Sequence, residues 1–163
     1  MTRFSRPALS GFLLVASVLL LGAAGNVGPV VQNGASLPDM VFKDQHEQRL
    51  TVDRGTRIIF VATEMAASRM MTKALEALPP TALKERQAVY IADISSMPEP
   101  ISTIVAMPRM RKLPYAVAVV RHAGDVAHLP RQPGAVTVLM TDGGTVRAVE
   151  FAGSPQAIAA YLK

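Results

Sequence analysis

Apolar residues in this chain fall into three kinds of run. The first is GFLLVASVLLLG, from Gly11 to Gly22, interrupted only by Ser17. The second kind is short and rich in β-branched residues: Arg57–Ala62, Ala88–Asp93, Tyr115–Val120 and Ala135–Thr141. Each is too short for a helix and suits a strand buried on both faces. In the third kind, apolar positions recur every three or four residues. Ala67, Met71, Ala74, Leu75 and Leu78 do so, with Arg69, Lys73 and Glu76 between them. That spacing predicts an amphipathic helix over Met65–Leu78, stopped by Pro79-Pro80.

Shorter signals fill the intervals. Leu37–Phe42 and Arg49–Val52 flank a polar turn and predict an N-terminal hairpin. A helical turn is expected within Thr81–Gln87. Pro100 can occupy the first turn of a helix over Ile101–Met107, which Pro108 should break or kink and Arg109–Leu113 can continue. Gly124-Asp125 turns the chain after the third core strand. Asp142-Gly143-Gly144 predicts a tight turn between the fourth core strand and a fifth over Thr145–Phe151. Ser154-Pro155 pairs an N-cap residue with proline at the first helical position, opening a helix that runs to Leu162. The order is hairpin, β-α-β-α-β, β-hairpin, helix. It describes an α/β domain with a mixed sheet of about five core strands, an N-terminal β-hairpin and flanking helices.

The first apolar run has a different meaning. Arg3 and Arg6 precede it and Gly22-Ala23-Ala24-Gly25 follows it. Positive start, apolar centre and small residues are the order of a secretory signal peptide over residues 1–25, and the run is short of the ~20 residues a spanning helix needs. The chain is therefore expected in the periplasm, the alternative being an uncleaved anchor in the inner membrane. Residues 26–36, with Gly28, Pro29 and Gly34, read as a flexible lead-in to a single domain over residues 37–163.

Composition narrows the chemistry. The chain has 163 residues and no cysteine. Disulfides, zinc–thiolate sites, cysteine nucleophiles, dithiol exchange and a lipidated N-terminal cysteine are excluded on that ground. The net charge of +5 falls to +3 without Arg3 and Arg6, there is no tryptophan, and aromatics make up 5%. Nucleic acid is not expected as a partner.

Several strings resemble the thioredoxin-like superfamily. Leu37–Gln45, with Pro38-Asp39 and Asp44, is similar to the "P-D-hydrophobic … D-x-x-G" opening of peroxiredoxin and TlpA-type domains, although Glu47 stands where glycine is usual. Arg57–Ala62 resembles the first core strand. Val136–Val146 resembles the terminal "T-hydrophobic-hydrophobic-hydrophobic-D-x-x-G-x-hydrophobic" hairpin. Val61–Ser68 and Tyr90–Asp93 have counterparts in periplasmic YtfJ-type proteins. The resemblance implies a thioredoxin-like three-layer sandwich across Leu37–Lys163.

The resemblance also marks what is missing. Thioredoxin chemistry uses a thiolate at the N-terminus of the helix after the first core strand, where the dipole and free N–H groups lower its pKa. Here Thr63, Glu64, Met65, Ala66, Ala67 and Ser68 occupy those degenerate active-site positions. Met65–Ser68 stands in the dithiol register and Ala66 at the peroxidatic position. A thioether has no proton to lose. Gly134-Ala135 stands where a cis-proline is expected before the fourth core strand, with Pro133 near enough for a shifted loop to supply it.

The resulting expectation is an exported, redox-inactive thioredoxin-like protein acting as a binding or accessory module. It would have no catalytic residue and no cofactor, and its partner would be a protein or peptide of the cell envelope. Its groove is expected between Thr63–Ser68 and the Pro133–Ala135 loop. One alternative is a periplasmic Cu(I)-handling protein using methionine and histidine, with Met65, Met107 and Met110 as ligands, since a soft cation accepts thioethers. Against it stands core packing, the ordinary use of methionine. His46, His122 and His128 flank turns and are ordinary surface residues unless the fold gathers them. A flavin-dependent oxidoreductase is a second alternative, but no G-x-G-x-x-G follows a strand. Arg109-Met110-Arg111-Lys112 reads either as a solvated helix end or as a surface for an acidic partner or anionic lipid. Glu64 is expected to serve the helix N-terminus.

Overall fold

A computed structural model describes residues 30–163. The expected signal peptide over residues 1–25 and the first residues of the expected lead-in lie outside the described residues. Seven strands form one mixed sheet: β1 (Met40–Asp44), β2 (Arg49–Val52), β3 (Ile58–Ala62), β4 (Ala88–Asp93), β5 (Ala118–Val120), β6 (Val136–Asp142) and β7 (Thr145–Ala152). Their spatial order is β2-β1-β5-β4-β3-β6-β7. β3, β4 and β5 run parallel, while β6 and β7 add antiparallel strands on one side. On the other side β1 pairs antiparallel with β5. The N-terminal hairpin thereby joins the main sheet, which has seven strands where five core strands were expected.

Alternation along the central strands assigns the two faces. Phe60 and Ala62 of β3 point to the same side as Tyr90 and Ala92 of β4. There they meet α1 (Met65–Glu76) and α5 (Pro155–Ala160) through Met71, Leu75 and Ile158. Each of these large apolar side chains, fully buried, is worth about 1.5–3 kcal/mol. Ile59, Val61 and Ile91 point the opposite way. That face is closed by Val31, ahead of the domain's expected start, by Leu37 and by Val126 and Leu129, not by an α-helix. Val31 is held by a bond from its N–H to the carbonyl of His128 at 2.8 Å. The short α2 (Ala82–Glu85) returns the chain from α1 to β4 and buries Leu83.

Two elements differ from expectation for identifiable reasons. The helix after β4 does not break at Pro108. It runs through α3 (Glu99–Ile101), a π-helical segment (Ser102–Ala106) and α4 (Met107–Met110). A proline inside a helix lacks an N–H and collides with the carbonyl four residues back. The wider π turn, in which the Met107 N–H reaches the carbonyl of Ser102, relieves that conflict just before Pro108. The strand expected over Tyr115–Val120 narrows to Ala118–Val120. The side chain of Gln45 takes the place of a neighbouring strand for the residues before it. Its Nε2 donates to the carbonyl of Tyr115 at 2.7 Å, and the Val117 N–H donates to its Oε1 at 2.8 Å.

Glycine conformation matters at the β6–β7 turn. Gly143 and Gly144 have φ of 58° and 82°, the two positive angles a type I′ hairpin requires. Glu47, where the resemblance expected glycine, also has a positive φ, of 62°. A side chain is disfavoured there. Lys43 at 3.3 Å and Arg121 at 3.1 Å pair with its carboxylate, and together, led by Lys43, they lower its pKa. Asp44 holds the same turn by accepting from the N–H groups of His46 and Gln48 at 2.7 and 2.9 Å.

Candidate functional site

The carboxyl ends of parallel strands are where α/β sheets leave a crevice. Here the ends of β3 and β4 open into a groove of about 740 Å³. That lies within the range of about 300–1,000 Å³ usual for ligand sites. One wall is the exposed flank of α1, from Met65 through Ser68, Arg69, Thr72 and Lys73 to Glu76. Those spacings of three and four put them along one side of the helix. The opposite wall is the helix after β4, which contributes Ile101, Val105, Arg109 and Met110. The floor is β4, with Tyr90, Ala92 and Asp93.

Hydroxyl groups gather at the floor. Tyr90 is buried, and its pKa is raised by that burial, against a smaller lowering from the hydroxyl of Ser68 beside it. Tyr115 lies behind it, adjacent to Thr72. Its hydroxyl is buried and has no partner in hydrogen-bonding geometry. Burial pushes the Tyr115 pKa up to about 12, with the charge of Glu76 acting in the same direction and Thr72 opposing it. Thr72 itself donates to the carbonyl of Ser68 at 3.0 Å, which leaves its oxygen free to accept.

Two carboxylates at the strand ends fasten the loop before β6. Asp93 is buried and accepts from the Ser95 N–H at 3.0 Å. Its other oxygen is 3.3 Å from Nη2 of Arg131, whose side chain is 39% exposed. Glu64 is the N-cap residue of α1 but makes no capping bond with its side chain. Its Oε2 accepts from the Gly134 N–H at 3.2 Å. The expectation that Glu64 serves the helix N-terminus is corrected in that respect. Short side chains make the capping bond well, and the longer glutamate reaches past it.

The expected site residues separate into groups. Thr63, Glu64, Met65 and Ser68 line the groove, Ala66 is exposed outside it, and Ala67 is buried in the core beneath α1. Pro133 and Gly134 are exposed, Ala135 is buried, and Glu64 ties their loop to the start of α1. None of the three lines the groove, which lies on the other side of α1's first turn, toward the helix after β4. No peptide bond among the described residues is cis, so Pro133 is not a shifted cis-proline. Of the methionines, Met65 and Met110 line the groove together with Met97, which the sequence had not singled out. Met107 is instead buried against Ile94 and Val119, and Nη2 of Arg121 lies 3.8 Å from its sulfur. His46 and His122 are exposed, while Nε2 of His128 is buried without a partner, and burial lowers the His128 pKa. No group of three or more His, Cys, Asp or Glu among the described residues could hold a metal ion. Tyr90 and Asp93 were legible as strand residues but not as groove residues. For Tyr90 the signal was its alternation with Ile91, which puts it on the face that α1 covers, whereas Asp93 reaches the groove as the last residue of β4.

Solved structures share the fold. The chain superposes on a peroxiredoxin-like protein from Aquifex aeolicus with a TM-score of 0.53 and 15% identity, over 83% of this chain and 88% of that one. StoA from Bacillus subtilis gives 0.54 and 9%, over 83% and 100%. Peroxidoxin BcpB from Mycobacterium tuberculosis gives 0.52 and 12%, over 81% and 96%. The fold is thioredoxin-like. No family model matches the chain, and no curated protein does. In this thioredoxin-like chain the start of α1 carries no thiol, since the sequence has no cysteine. Thiol–disulfide exchange and thiol peroxidase chemistry are closed to its own side chains. Among the described residues no helix is long and apolar enough to cross a membrane.

Proposed function

We propose that this chain is an exported, redox-inactive thioredoxin-like module that binds a protein or peptide segment of the cell envelope, in the groove between α1 and the helix after β4. The observation that carries the reading is the composition of that groove. Met65, Met97, Ile101, Val105 and Met110 line it with apolar surface, and the hydroxyls of Ser68 and Thr72 on α1 join that of Tyr90 where α1 meets the floor. A peptide brings apolar side chains together with backbone N–H and C=O groups that need partners. A purely hydrocarbon ligand would leave the floor hydroxyls unmatched, at the cost of burying them unpaired.

A Cu(I) site is the less favoured reading. Met107, one of its three expected ligands, is shut into the core with a guanidinium at its sulfur. That positive charge opposes a cation there.

The test uses the pure protein. Assayed for disulfide reduction with dithiothreitol and for peroxide turnover, it should do no better than buffer. Panned against a phage-displayed random peptide library, it should enrich peptides that do not bind a Val105→Trp variant, whose indole fills the groove from an already exposed position. Measurable turnover, or a library that yields no peptide dependent on an open groove, would overturn the proposal.

A further inference from the structure

We infer that the groove selects extended segments of about five residues in which apolar side chains alternate with aspartate or glutamate. The inference rests on the peptide-binding reading above and adds the length, pattern and charge of the occupant.

Length comes from the α1 wall. From Met65 to Glu76 the helix presents a flank of about 17 Å, at ~1.5 Å rise per residue. An extended chain advances ~3.3 Å per residue, so about five residues fill it. Pattern comes from the cross-section. Successive side chains of an extended segment point to opposite sides, so one set faces the apolar walls and the floor hydroxyls, and the other faces the rim.

Charge comes from the rim. Arg69 and Lys73 stand on the α1 wall and Arg109 on the opposite wall. All three are exposed, and none forms an ion pair among the described residues. The acidic side chains at the groove do not balance them. Asp93 is offset by Arg131, whereas Glu64, bonded to the neutral Gly134 N–H, keeps its charge at the start of α1. Glu76, at the last turn of α1, is the other carboxylate there without an ion pair among the described residues. Three cations against two carboxylates, one at each end of α1, leave the middle of the rim positive, and cations on both walls would meet carboxylates on the outward side of the segment. Arg111 and Lys112 extend the same sign beyond the groove, where both are exposed. Complementary charge of this kind sets partner choice and association rate more than it adds raw affinity.

The experiment is fluorescence polarisation with three labelled pentapeptides, Leu-Asp-Leu-Glu-Leu, Leu-Ser-Leu-Ser-Leu and Leu-Lys-Leu-Lys-Leu, on the wild-type chain and on the double variant Arg69→Glu, Arg109→Glu. Both positions are exposed, so circular dichroism should show the variant folded. The acidic peptide should bind wild type about tenfold more tightly than the basic one at low salt, with the difference shrinking as salt rises. The double variant should reverse the order. Equal binding of all three peptides, or an order the double variant leaves unchanged, would overturn the inference while the groove reading stands. Failure of all three, together with a library that yields no groove-dependent peptide, would overturn both.

Discussion

Three tyrosines supply all the phenols of this chain, and each is held in its neutral form by a different balance. Burial dominates at Tyr90 and Tyr115. At Tyr161 the first cause is its hydrogen bond to Glu150, with burial second, and together they raise the pKa to about 12. A phenol whose folded pKa is raised stabilises the fold fully below its unfolded value of about 10, and that stability is lost as pH climbs toward the folded value. Stability should therefore fall between about pH 10 and pH 12. In a spectrophotometric titration at about pH 11, little phenolate should form until denaturant is added. A full phenolate signal in the folded protein at that pH would contradict the burial of the groove floor. Glu47 gives a second test at this scale. Its left-handed backbone explains why glycine is usual at that point of the resembling motif. Glu47→Gly should leave the thermal midpoint unchanged or raised, whereas Glu47→Val should lower it, because a β-branched residue tolerates that conformation least.

Single elements show what a linear pattern can and cannot carry. β3, β4, β6 and β7 were legible within a residue or two, because β-branched runs between turn signals have few other uses. The Ser154 N-cap was legible too, and its hydroxyl accepts from the Ala157 N–H at 3.2 Å. β5 was overestimated because the partner of its first residues is a side chain 70 positions away in sequence. No local window contains that information. Gln45→Ala should strand the Tyr115 carbonyl and the Val117 N–H in the interior and cost about 2–4 kcal/mol by chemical denaturation. Loss of less than half a kcal/mol would show that neighbouring strand or solvent takes over those groups. The helix across Pro108 was legible only in part, its continuation past the proline being one of the readings and the π segment none of them. Proline's local rule predicts a break, and the π segment that evades it is a choice of hydrogen-bond register with no residue signature of its own.

At the scale of the whole molecule, the site arises where separate elements converge. The α1 wall could be read from its spacing, and its start was singled out by the resemblance. The opposite wall could not, since its placement follows from the π segment and from Met107 anchoring the helix on Ile94 and Val119. The groove consequently lies beside the helix after β4 and not against Pro133–Ala135, as expected from sequence. That loop is pinned by Glu64 directly and by Asp93 through Arg131. Arg131→Ala leaves the buried Asp93 carboxylate with one fewer partner and should cost about 1–2 kcal/mol after allowance for the arginine's exposure. Arg147→Ala, which breaks an exposed pair with Asp142 at 3.1 Å, should cost less than about 1 kcal/mol. Equal costs in paired denaturation curves would remove Asp93 as the anchor of the loop. The claim that joins these scales is that binding survives without thiols and takes place between α1 and the helix after β4. Hydrogen–deuterium exchange of the chain, alone and saturated with Leu-Asp-Leu-Glu-Leu, tests it most directly. Exchange should slow across residues 65–76 and 97–113, with β7 and α5 unchanged. Protection confined to the Pro133–Ala135 loop, or none at all, would contradict it.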